Sequence, residues 1–91
     1  MASRPARVYR VEVAPAADRV LGALPHATRA RIVHKMEALG LDPRPRGCKK
    51  LKGDDDFYRV RAGDFRIVYA VRDDVLVVLV VKIGNRRDVY R

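Results

Sequence analysis

The segment Phe57-Tyr58-Arg59-Val60-Arg61-Ala62-Gly63-Asp64-Phe65-Arg66-Ile67-Val68-Tyr69 decides the fold. Two runs rich in β-branched and aromatic residues flank Gly63-Asp64, a pair suited to a two-residue hairpin turn because glycine accepts a positive φ. With that turn, Ala62 pairs with Phe65, Arg61 with Arg66, Val60 with Ile67, Arg59 with Val68 and Tyr58 with Tyr69. Opposed residues of an antiparallel ladder share a face. One face therefore gathers Tyr58, Val60, Ile67 and Tyr69, a core face for helices to cover, and the other gathers Arg59, Arg61 and Arg66. Like charges directly opposite one another weaken a sheet, by up to about 1 kcal/mol where opposite charges would help. Stability does not explain Arg61 facing Arg66, so the arginine face reads as an anion site or a docking surface for another chain, set against a merely solvated charged face.

Reading outward towards the C-terminus, Phe65 to Val71 leads through Asp73-Asp74 into a third strand, Val75 to Ile83. The spacing places Leu76, Val78 and Val80 on the core face and Val77, Leu79 and Val81 on the arginine face, so both faces are apolar and the strand is internal. Gly84 to Arg91 adds Arg86 and Arg87 to the basic set and room for a short last segment. Towards the N-terminus, Asp42 to Asp56 is loop chemistry, Asp42-Pro43-Arg44-Pro45-Arg46-Gly47 followed by a basic cluster at Lys49, Lys50 and Lys52. Before it, Ile32, Val33, Met36 and Leu39 recur at helical spacing from about His26, with Gly40 as the expected cap. A shorter helix opens at Pro15 and runs through Ala16, Val20, Leu21 and Leu24 to Pro25. Val8 to Val13 reads as a half-buried strand, with Tyr9, Val11 and Val13 inward. The expected architecture is α+β: an N-terminal strand, a helical hairpin, then a three- to four-stranded antiparallel meander, as one domain over residues 1–91.

Composition bounds the function. The 91 residues carry 20 Lys+Arg against 11 Asp+Glu, a formal net charge of +9, with 48% hydrophobic residues and only 6 Gly and 5 Pro. A chain of this size supports one small core and leaves no room for a cofactor domain. The excess charge belongs to a folded surface and points to an anionic partner, nucleic acid first, then an acidic protein segment, then a membrane surface. Residues 1–43 are net +3 and residues 44–91 net +6, which places the binding half in the sheet. A lone Cys48 and the two histidines, His26 and His34, offer no structural zinc set, and no metal or other cofactor is expected. Three consecutive aspartates, Asp54 to Asp56, converge poorly on one ion and read as a loop cap, and Cys48 as an incidental thiol. Met1 to Pro5 has no apolar core of a signal segment and Val75 to Val81 is too short to span a bilayer, so a cytoplasmic location is expected.

Three pieces taken together resemble a known family: Gly47-Cys48-Lys49-Lys50-Leu51-Lys52-Gly53, the hairpin from Tyr58 to Tyr69, and Val81-Lys82-Ile83-Gly84-Asn85-Arg86-Arg87-Asp88-Val89-Tyr90-Arg91. They are similar to the RelE/ParE toxin superfamily, nearer its RelE branch, over nearly the whole chain. The resemblance implies a RelE-like fold and the toxin of a bacterial type II toxin–antitoxin pair. It implies an endoribonuclease, an mRNA interferase that cuts messenger RNA in the ribosomal A site without a metal. By position it assigns the catalytic roles to Arg59, Arg61, Arg66, Arg86 and Tyr90. Arg66 and Arg61 would clamp the scissile phosphate, Arg86 would sit near the leaving group, and Tyr90 would stack on a base or donate its hydroxyl. Lys49, Lys50, Lys52 and Arg87 would hold ribosomal RNA phosphates. Partners implied are an acidic antitoxin, the ribosome with its mRNA, and operator DNA through the antitoxin complex.

Arg59 and Arg61 stand where some relatives carry lysine, and Asn85 where many carry histidine. Arginine holds phosphate well and gives up protons poorly. The base is then Tyr90, a lysine with a lowered pKa, or none, with rate coming from positioning and charge. The same substitutions keep open a ParE-like gyrase poison and a weakly active paralogue that binds antitoxin.

Overall fold

The computed structural model describes residues 8–53 and 56–85. The elements are β1 (Arg10–Val13), α1 (Pro15–Gly22), α2 (His26–Leu41), β2 (Lys49–Lys50), β3 (Phe57–Ala62), β4 (Phe65–Arg72) and β5 (Val77–Asn85). They form one mixed sheet of five strands in the order β1-β5-β4-β3-β2, with β1 parallel to β5 and the other pairs antiparallel. This is the expected α+β arrangement, with the N-terminal strand closing the β5 edge and a two-residue strand, β2, added beyond β3. Pro15 opens α1 at its first turn, where a missing N–H costs nothing.

Both helices cover one face. Ala17 and Leu21 of α1 and Ile32, Met36 and Leu39 of α2 pack into a cluster with Val60, Ile67, Tyr69, Val71, Val78, Val80 and Ile83. Each such aliphatic side chain contributes about 1.5–3 kcal/mol when fully buried. The inward residues of α1 are Ala17, rather than the expected Ala16, and Leu21, while Val20 is 38% exposed. Gly40 does not cap α2; it lies within the last turn, and Asp42 ends the helix. A Cβ at Gly40 would stand 2.9 Å from the carbonyl oxygen of Tyr9, whose own N–H donates to the Gly40 carbonyl at 2.8 Å. Glycine is there so that α2 can touch β1.

The β3–β4 hairpin has the anticipated register in full, from Ala62↔Phe65 to Tyr58↔Tyr69, and extends to Phe57↔Ala70. Gly63 turns it at φ 63°. The β4–β5 connection differs from expectation. Arg72 pairs with Val77, so Asp73, Asp74, Val75 and Leu76 form a four-residue turn in place of a two-residue one. Leu76 takes a left-handed φ of 55° there, which frees it from the ladder while its side chain still packs against the core. The displacement of two residues preserves alternation, so Val78 and Val80 remain inward and Val77 and Leu79 outward. A β-bulge then interrupts it: Tyr69 pairs with Val80 but Val68 with Lys82, leaving Val81 as the extra residue. Val81 is therefore not a regular member of the arginine face.

A polar clamp fixes the loop after α2. The buried Tyr69 hydroxyl donates to the Pro43 carbonyl at 2.7 Å. Arg44 places Nη2 and Nη1 at 2.8 and 3.2 Å from the two carboxylate oxygens of Asp73, and its Nε donates to the Tyr58 hydroxyl at 2.9 Å. Tyr9 donates to the same carboxylate at 2.5 Å, and Tyr58 stacks on Tyr69 with ring centroids 5.9 Å apart. The Asp73 and Tyr58 partners hold the Arg44 guanidinium still further above neutrality than an ordinary arginine. Burial, with the Cys48 thiol alongside, pushes Tyr69 well above the usual tyrosine range.

Two predictions follow from this packing. In an open helix, Gly→Ala gains about 1 kcal/mol; Gly40→Ala is expected instead to destabilise by about 1 kcal/mol or more, because the methyl group meets backbone that cannot move aside. Urea unfolding measures this. Because the folded pKa of Tyr69 lies above its unfolded value of 10.0, stability is complete below that pH and declines as the unfolded state ionises above it. Tyr69→Phe should show a shallower alkaline loss in urea midpoints between about pH 9 and 11.

Candidate functional site

The sheet face away from the helices carries the charge. On β3, Arg59 and Arg61 lie two residues apart, about 7 Å along the strand, and β4 brings Arg66 directly opposite Arg61. On β2, Lys49 pairs with Arg59 and so joins the same face. These four cations, with Gly47 and Val60, line a cleft of about 180 Å³. Arg61 is exposed, Arg59 and Arg66 are half-buried, and the Nε of Arg66 is fully enclosed. Val68, 8% exposed, lies between Arg59 and Lys82 in the sheet row beside the cleft. Among the described residues, none that lines the cleft is acidic.

The clamp in the 42–48 loop explains how Lys49 arrives there. Tyr69 and Arg44 anchor Pro43 and Arg44 to the sheet, the Cys48 N–H donates to the Pro45 carbonyl at 3.0 Å, and Gly47 turns at φ 92°. The chain is thereby delivered to the β3 edge as β2. There the basic cluster divides. Lys50 pairs with Tyr58 and thus belongs to the opposite face, while Lys52 lies exposed in the turn beyond. Lys49, Lys50 and Lys52 do not act as one patch, because strand alternation separates neighbours.

Arg86, Arg87 and Tyr90 lie outside the described residues, as do Asp54 and Asp55. His26 and His34 are exposed on α2, away from the cleft. Cys48 is half-buried against the core beside Tyr69. The sequence reading missed Lys82: with unbroken alternation from Val78 and Val80 it would point into the core, and the bulge turns it onto the arginine face. The sequence shows only a lysine where alternation would bury one, which is strongly unfavourable; that Ile83 takes the core place is seen in the fold.

A family model described as the ParE toxin of type II toxin–antitoxin systems, parDE, matches residues 11–90. The chain belongs to the RelE/ParE family of toxins of type II toxin–antitoxin systems. Among its relatives, the RelE1 protein of Methanocaldococcus jannaschii, named as a toxin, is 33% identical over 86 residues, spanning 91% of this chain and 96% of that one. The RelE–RelB complex of Pyrococcus horikoshii superposes with a TM-score of 0.79 at 31% identity, covering 89% of this chain and 98% of that one. The intact RelBE toxin–antitoxin complex of Escherichia coli gives a TM-score of 0.74 at 28% identity, covering 85% and 95%. No described helix is long and apolar enough to cross a membrane.

The opposed arginines have a measurable cost. Arg61→Gln should stabilise the fold by about 0.5 kcal/mol at low ionic strength, and less at high salt as the repulsion is screened. Urea unfolding at two salt concentrations tests this.

Proposed function

We propose that the chain is the toxin of a RelBE-type pair that cuts messenger RNA on the ribosome by attack of a ribose 2′-hydroxyl on the adjacent phosphate. The observation that supports this reading is the Arg61–Arg66 pair, held face to face in a cleft shared with Arg59 and Lys49. Such a site gives up stability for concentrated positive charge, which suits a pentacoordinate phosphorane carrying more negative charge than the ground state. Arg61 and Arg66 clamp the non-bridging oxygens through paired N–H groups, and Arg59 neutralises the flanking backbone. Arg86 stabilises the departing 5′-oxygen, and Tyr90 stacks on a base or donates its hydroxyl. Lys49, Lys52, Arg87 and, from the other face, Lys50 hold ribosomal RNA as point charges. The reaction needs no metal in this reading, and the site of action is the cytoplasm.

The partner that silences the toxin is an acidic antitoxin segment laid over the arginine face, which would neutralise charge that otherwise repels itself. Solved relatives include complexes of RelE with RelB. Operator DNA would be reached only through that complex. The whole of residues 1–91 acts as a single domain.

A second reading, a ParE-like poison of DNA gyrase, is favoured by the name of the matching family and by arginine and asparagine at positions where a titrating group would aid RNA cleavage. Inducible expression followed by mapping of transcript 5′ ends separates the two. The nuclease reading expects growth arrest with new 5′ ends inside translated codons. Removing one transition-state donor by Arg66→Ala should lower cleavage by roughly 100-fold or more, with the fold retained by circular dichroism. Arrest with intact transcripts and stalled gyrase–DNA complexes would overturn the nuclease in favour of the poison.

A further inference from the structure

Strand β5 contains a lysine that regular alternation would bury. Val78 and Val80 are fully inward, and a two-residue period makes residue 82 the next core position. Instead Ile83 takes that place at 3% exposure, and Lys82 is turned out to solvent opposite Val68. The bulge at Val81 makes the difference. Bulges also curve sheets, so the bulge alone says nothing of a ligand. What points to one is the company in which it places the lysine.

Reading across the sheet, Lys49, Arg59, Val68 and Lys82 form a single row, one residue from each of β2, β3, β4 and β5. Adjacent strands are about 4.8 Å apart, so Lys82 lies about 10 Å from Arg59 across Val68. The neighbouring row contains Arg61, Arg66 and Gly84. Cations thus flank Val68 on both sides. The nearest carboxylate on β1, Glu12, sits across from Leu79 and is paired with Arg10 at 2.8 Å, and β1 ends opposite Val80, before the row that holds Lys82. Among the described residues, Lys82 forms no ion pair.

We propose that Lys82 is a phosphate-binding residue beside the cleft, taking the backbone of single-stranded RNA on the β5 side of the phosphate held by Arg61 and Arg66. This rests on the RNA reading above and extends it: the strand crosses the sheet from β2 towards β5, with Lys49 and Lys82 at its two ends. Lys82, through its ammonium, acts as a mobile point charge. It is a binding residue and takes no part in proton transfer.

The test measures binding apart from catalysis. A fluorescein-labelled 12-nucleotide single-stranded RNA is titrated with the purified full chain by anisotropy, between 50 and 300 mM salt. Lys82→Gln should weaken binding roughly fivefold at the low-salt end and reduce the slope of log affinity against log salt by about 0.7, the value of one phosphate contact to a single strand. Lys82→Arg should restore most of both. Arg19→Gln, an exposed cation on α1, should leave slope and affinity as in the wild type. If Lys82→Gln binds like the wild type with an unchanged slope, while Arg61→Gln is weakened, the assignment of Lys82 is wrong and the RNA cleft stands. If the wild type binds no RNA across this salt range, the RNA cleft fails, and the assignment of Lys82 with it.

Discussion

Burial of one face of the β3–β4 hairpin decides what the other face can be. Val60, Ile67, Tyr69 and Val71 are almost completely enclosed beneath the two helices. A slip of one residue in either strand would expose this set and bury the arginines, at a cost no other interaction in a small domain could offset. The register is therefore rigid, and with it the opposition of Arg61 and Arg66. The repulsion between them is small compared with the burial that imposes it. The opposed arginines are a tolerable defect on a strongly determined scaffold.

The same logic extends to the periphery. The loop after α2 has little apolar material of its own, and three tyrosines, an arginine and an aspartate hold it in place. Tyr69 belongs to both systems: its ring is part of the core, and its hydroxyl reaches out to Pro43. A residue chosen for core packing thus also sets the position of Lys49, several residues along the chain. The cleft is assembled by contacts made outside it, which is how a small sheet can pre-arrange charge.

Family membership agrees with this physical account. The fold and the toxin class follow from the match to residues 11–90 and from the superposition on RelE structures. The chain's own character lies in its preference for arginine over groups that titrate near neutrality. A site of that kind favours binding, orientation and stabilisation of charge over proton transfer.

Much of this was legible in the sequence. Gly63-Asp64 and the alternation around it determined the hairpin, its register and the three arginines on one face, because a two-residue turn admits a single pairing. The helix pair and the basic balance of the second half were equally plain. The four-residue turn at Asp73 to Leu76, the helical place of Gly40, the division of Lys49 from Lys50 and the outward turn of Lys82 were decided by the tertiary structure. Each depends on a contact between segments distant in sequence: Gly40 on the carbonyl of Tyr9, Lys49 on pairing with Arg59, Lys82 on a bulge that lets Ile83 fill the core. Local pattern fixes which way a side chain points relative to its neighbours. Where an extra residue enters a strand, only the packing of the whole sheet decides.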